Sequence, residues 1–185
     1  MQLKVIKSDG SVEQYLHTKV IGTFSNALAL IDQANVFAAE QFAEAITFYL
    51  YQKRRVVTVT SDEIHLMAQA VLTATGYENA ARALNEYHLN RKLKRGRIEV
   101  VDGDENTEED LVMRVCRWNK SRIADDLVKK DGLSRPVARA IASSVEEKVL
   151  NLGMARVRRS LIKELVLADT DAMLRVQKEL QTSDV

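Results

Sequence analysis

Cysteine and proline are almost missing from this chain, with 1 of each among 185 residues, and glycine is sparse at 7. A single thiol, Cys116, excludes an internal disulfide. So few chain breakers, together with 46% hydrophobic and 29% charged residues, describe an ordered and mostly helical protein. An excess of one charge is also missing. Lys plus Arg number 27 against 26 Asp plus Glu, so attraction to nucleic acid or an anionic surface has to come from a local patch. No apolar run reaches the roughly 20 residues that cross a bilayer. The richest, residues 42–51, gives way to Lys53, Arg54 and Arg55. The opening MQLKVIKSDG has neither the apolar core nor the cleavage pattern of a secretory leader. The expectation is a soluble, cytoplasmic protein without a membrane partner.

Catalytic signatures are missing as well. There is no G-x-x-x-x-G-K-[ST] phosphate loop and no nucleophile elbow, and His17, His65 and His88 are scattered without metal-ligand spacing. No enzyme and no protein-held metal site is expected, and His17 and His65 read as surface residues.

What is present is a sequence of alternating patterns. LKVIKSDGSVEQY is two β-type runs around Ser8-Asp9-Gly10-Ser11, and an Asp-Gly pair in that setting signals a hairpin. From Thr18, a possible cap, helical spacing places Val20, Phe24, Ala27, Leu28 and Ile31 on one face. A second helical pattern covers residues 35–51, and a β-rich run covers 55–59. Thr60-Ser61-Asp62-Glu63 is a capping box opening a third helix, whose buried face is Ile64, Met67, Ala68, Val71 and Leu72, with Gly76 as its stop. A fourth helix is expected over 78–94, ending in cations that suit a C-terminus. RGRIEVV then leads into an acidic stretch without period. The expected division is a first domain over 1–101, an acidic linker over 102–112 and a second helical domain over 113–185. In the latter, helices are expected over 121–130, 134–152 and 160–167, and another from Thr170.

The two halves carry an internal echo. Trp118-Asn119-Lys120-Ser121-Arg122-Ile123 aligns with Tyr15-Leu16-His17-Thr18-Lys19-Val20, and Ser160-Leu161-Ile162 with Asp62-Glu63-Ile64. The second copy has no Asp-Gly turn, and LVMRVCRW reads as one strand-like run, so a second copy without the hairpin is expected. Chance similarity between helical units is the competing explanation.

Over residues 1–95 the chain resembles the ATP-cone, the nucleotide-binding regulatory module of ribonucleotide reductases and of repressors of reductase genes. The resemblance rests on Val5-Ile6-Lys7-Ser8-Asp9-Gly10 against the hairpin pattern V-x-K-R-D-G, on Tyr15 before Lys19-Val20, on Thr60-Ser61 with Ile64, and on Tyr87-His88-Leu89 followed by cations. Ser8 stands where the family favours Arg, and Leu16 where it favours an acid or amide. The resemblance implies a mainly α fold, a β-hairpin over four helices, followed here by a degenerate cone-like unit. It implies ATP or dATP, with Mg2+, under the hairpin. Val5 and Lys7 would supply the hairpin wall, Glu13 would lie near base or sugar, and Lys19 and Val20 would come from helix one. Ser61 and Ile64 would close the pocket, and Arg91 with His88 would reach the phosphates.

Each of these residues has a plainer alternative: Lys7 as an exposed strand lysine, Lys19 and Arg91 as solvated helix cations, His88 as a core-edge histidine. Trp118 reads as a packing residue, with a partner anchor as its alternative, and Cys116 as an inert buried thiol. The function implied is an allosteric sensor that couples ATP or dATP occupancy to oligomerisation or partner binding, with ribonucleotide reductase as the natural partner. A nucleotide-responsive regulator using the basic runs on DNA is less favoured, since the repressors carry a four-cysteine zinc ribbon that one cysteine cannot build. A structural adaptor without nucleotide is the third reading.

Overall fold

The computed structural model describes residues 2–54, 57–102 and 114–183. The protein is mainly α-helical and divides into two units, Met1–Arg91 and Lys92–Val185. In the first, β1 (Lys4–Ile6) and β2 (Val12–Gln14) form the hairpin, followed by α1 (His17–Ala29), α2 (Val36–Phe48) and a π-helical turn (Tyr49–Arg54). Then come β3 (Thr58–Thr60), α3 (Ser61–Ala74) and α4 (Glu78–Arg97), the unit boundary falling within α4.

The second unit contains β4 (Glu99–Asp102), β5 (Arg114–Arg117), α5 (Lys120–Lys130), α6 (Arg135–Asn151), β6 (Arg156–Arg158) and α7 (Arg159–Ser183).

The hairpin turn forms because Asp9 Oδ1 accepts from both the Ser11 amide (3.0 Å) and the Ser11 hydroxyl (2.6 Å), while Gly10 takes φ +80°. β3 then adds to β1 in parallel, Val5 lying opposite both Glu13 and Val59, so the hairpin becomes the edge and centre of a three-stranded sheet. The Thr60–Glu63 capping box is complete in both directions, and Gly76 at φ +85° follows the end of α3. Thr18, by contrast, caps nothing. The Tyr15 amide still bonds Leu3 O in the strand ladder, so the helix turns immediately afterwards, with Leu16 as a cap that makes no side-chain bond. Phe24 is fully enclosed and sets its ring edge-on against Phe42.

Three expectations about the second half change. The strand Glu99–Asp102 belongs to the second sheet, pairing with β5 antiparallel and β6 parallel, so the second unit begins near Lys92 and not after Val101. The second copy therefore does possess the antiparallel pair that LVMRVCRW seemed to lack. Its partner strand lies upstream of the acidic stretch, and most of that stretch, residues 103–113, is outside the described residues. Finally, α7 runs unbroken through Thr170. The threonine hydroxyl donates back to Val166 O, the arrangement of a helix interior, and no Gly or Pro interrupts the run.

The result is one frame used twice. Both sheets have the order hairpin edge, centre, crossover strand, and Val100 lies opposite Cys116 and Val157 as Val5 does opposite Glu13 and Val59. The closing bonds repeat too: Tyr15 N to Leu3 O (2.9 Å) and Trp118 N to Ile98 O (3.2 Å), Lys4 N to Val57 O (2.9 Å) and Glu99 N to Ala155 O (2.7 Å). Counted from the N-caps Asn35 and Ser134, Ala39 and Ala43 match Ala138 and Ala142, all buried where the paired helices approach each other.

Phe24→Ala is expected to cost about 3–5 kcal/mol by emptying the centre of the first core, and Thr60→Ala about 1 kcal/mol through the lost cap. Urea unfolding of the two variants checks both values and their order.

Candidate functional site

The parallel pairing of β1 with β3 decides what meets in the first unit. Ile6 lies opposite Thr60, so the next residues, Lys7 and Ser61, leave the sheet side by side, and Ser61 is the first residue of α3. Across the hairpin stands Glu13. Its Oε2 holds the Lys7 ammonium at 3.6 Å and the Lys19 ammonium of α1 at 3.3 Å. The carboxylate is 11% exposed, the two lysines 33% and 45%. One shielded anion thus gathers two wetter cations from different elements, at the sheet end that also carries the N-terminus of α3 with Asp62 and Glu63 in its first turn. Such pairs contribute little to stability, but an anion arriving there meets positioned donors.

The other expected residues lie as follows. Val5 and Val20 are buried in the core, where their side chains serve packing. Ile64 is half-buried against that core. Arg91 donates to the Tyr87 hydroxyl (2.5 Å) one turn back and lies over its ring, 5.6 Å from the centroid. His88 stands with its Nε2 4.0 Å from Asp62 Oδ1, and its ring stacks on His65 at 4.0 Å. His65 is therefore not the surface residue expected. Its Nε2 is buried without a hydrogen-bond partner, an uncompensated polar atom in the packed region between α3 and α4. Its position three residues after Asp62 was the one available signal, and the partner His88 comes from another helix.

A second cluster was missed altogether. Thr47 Oγ1 on α2 donates to Ala43 O (2.8 Å), which uses its only proton. The Tyr15 hydroxyl (2.8 Å) and His17 Nδ1 (2.8 Å) then both donate to it, which in the neutral imidazole places the proton on Nδ1 and leaves Nε2 as an acceptor. Burial pushes the Tyr15 hydroxyl above its ordinary value of 10.0, with Thr47 opposing and Tyr51 adding to the shift.

At the corresponding places the second unit carries different chemistry. Asp102 replaces Lys7, Cys116 replaces Glu13 and Arg159 replaces Ser61, and Arg159 Nε lies 2.8 Å from Asp102 Oδ1 and its Nη2 3.5 Å from Cys116 Sγ. The Asp102–Arg159 pair at this sheet end closes on itself. Where the first unit has Tyr15, His17 and Thr47, the second has Trp118, Lys120 and Glu146. Glu146 is fully buried and accepts from Arg95 in a two-bond fork (2.8 and 2.7 Å) and from Trp118 Nε1 (3.2 Å), with the Lys120 ammonium 3.2 Å away. Trp118 packs in the second core, as expected, and its indole proton also serves this carboxylate.

Among the described residues, no group of three or more His, Cys, Asp or Glu side chains is placed to hold a metal ion, and no helix is long and apolar enough to cross a membrane. No family model matches the chain, and no curated protein is similar to it at a significant level.

Two outcomes follow. The folded-state pKa of Tyr15 lies above the unfolded one, so the fold favours the protonated phenol. That contribution is complete below pH 10 and is lost as pH rises through the folded value. Tyr15→Phe is expected to flatten the alkaline fall in stability, measured by urea unfolding across that range, and to cost about 1 kcal/mol at neutral pH. Arg95→Ala is expected to cost roughly 2–3 kcal/mol, because the buried Glu146 would lose its two-bond fork.

Proposed function

We propose that the first unit binds ATP or dATP, with its magnesium carried on the phosphates, and that the protein is a non-enzymatic regulator coupling nucleotide occupancy to its assembly or to a partner. The observation that carries this reading is the convergence of Lys7 and Lys19 on Glu13 beside the N-terminus of α3. Two ammonium groups and a helix start are the donors a polyphosphate needs. Glu13, paired with both lysines, acts here as the residue that positions them.

Further support comes from the resemblance of residues 1–95 to the ATP-cone. The sheet end of the second unit is occupied by its own Arg159–Asp102 pair, so that unit serves as the readout: a packed helical body without a polyphosphate site. Ribonucleotide reductase, or machinery controlling it, is the partner that the resemblance suggests. Occupancy transmits a signal only if nucleotide binds the two assembly states unequally.

Calorimetric titration of the full chain with magnesium-ATP and magnesium-dATP is expected to show saturable binding of at least one of them, with a raised melting temperature. Lys7→Ala and Lys19→Ala should each weaken binding about tenfold or more, the worth of one charge-assisted contact. No heat and no melting shift with either nucleotide would sink the proposal.

A further inference from the structure

The duplication allows each place in one unit to be read against its counterpart, and one cavity becomes interpretable that way. A cleft of about 430 Å³ in the first unit is lined by His17, Glu44, Thr47, Phe48, Tyr51 and Gln52. The helix caps and strand registers match His17 to Lys120, Glu44 to Ser143 and Thr47 to Glu146. Lys120 joins the other two, its Nζ reaching Ser143 Oγ (3.4 Å) and Glu146 Oε2 (3.2 Å). Against them lies the guanidinium of Arg95, forked on Glu146. In the second unit, then, this position in the frame holds an arginine supplied by the chain itself.

We propose that the cleft of the first unit is a receptor for the same group, an arginine side chain presented by another polypeptide. The cleft retains one carboxylate, moved one helical turn along α2: Thr47 stands where Glu146 does, and the exposed Glu44 stands where Ser143 does. Its polar lining is acceptor-rich. Thr47 Oγ1 is saturated by Ala43, Tyr15 and His17, and the neutral imidazole with its proton on Nδ1 offers Nε2 as an acceptor. Glu44 and the carbonyl of Gln52 are further acceptors. A guanidinium has five donors and no acceptor, so it matches such a lining, whereas an anion would meet Glu44. The exposed rings of Phe48 and Tyr51 give flat faces on which a planar cation stacks. Their counterparts Glu147 and Leu150 offer no such faces. This site is distinct from Lys7, Glu13 and Lys19, and it does not depend on nucleotide.

The test is a nuclear magnetic resonance titration of the full chain with N-acetyl-arginine-amide, following the His17 ring and the Thr47 methyl. Saturable shifts at both are expected, with N-acetyl-lysine-amide at least about fivefold weaker, because an ammonium lacks the fork and the flat face. Glu44→Gln, at an exposed position where the fold tolerates it, should weaken binding about tenfold and leave nucleotide binding unchanged. Thr47→Glu, which rebuilds the carboxylate of the second unit, should strengthen it about tenfold. The absence of saturable shifts, equal binding of the lysine compound, or an unaltered affinity in Glu44→Gln would each overturn the proposal. Tighter binding of free arginine than of the capped compound would overturn the polypeptide source.

Discussion

Two strands that run parallel cannot be joined by a tight turn, and in each unit of this protein the central strand has one such neighbour. The chain must travel away and return, and it does so by way of the hairpin edge and a pair of packed helices. That crossover fixes nearly everything else. It sets α2 and α6 against the helices that precede them, where alanines at matched positions permit close approach. It also brings the end of the first strand beside the start of the helix after the third. Lys7 with Ser61, and Asp102 with Arg159, are neighbours for this reason alone.

Because the frame recurs, differences between the copies isolate what side chains contribute. At the sheet end, two partly exposed lysines gather around one shielded glutamate, while an aspartate and an arginine close on each other. Behind the second strand, a tyrosine and a histidine meet on a threonine hydroxyl in one unit. In the other, tryptophan, lysine and arginine meet on a buried carboxylate. A hydroxyl with one proton and two lone pairs is satisfied by three neutral neighbours. A carboxylate in the same place must be neutralised before it can be buried, and so recruits cations. The exchange of threonine for glutamate thus goes with those of tyrosine for tryptophan and histidine for lysine, all on the same backbone path.

Much of the fold was legible in local patterns. The Asp9-Gly10 turn, the capping box from Thr60 to Glu63, the Gly76 stop and the aromatic echo of Tyr15 in Trp118 all rest on interactions spanning a few residues or on matched periodicity. What was misread had non-local causes. The strand Glu99–Asp102 looked like the tail of the first domain, because its partners lie beyond the acidic stretch and at Arg156–Arg158.

The sequence by itself determined the helical character, the hairpin and the helix starts at Asn35 and Thr60, and suggested two related halves, since these depend on residue type and spacing along the chain. Only the tertiary structure decided which charges share an oxygen, that His65 stacks on His88, that Glu146 is buried among Arg95, Lys120 and Trp118, and where one unit ends and the next begins. Glu13 meets its lysines across a hairpin and a helix start, while the other meetings join segments separated by tens of residues, and only the parallel strands and packed helices determine which segments meet.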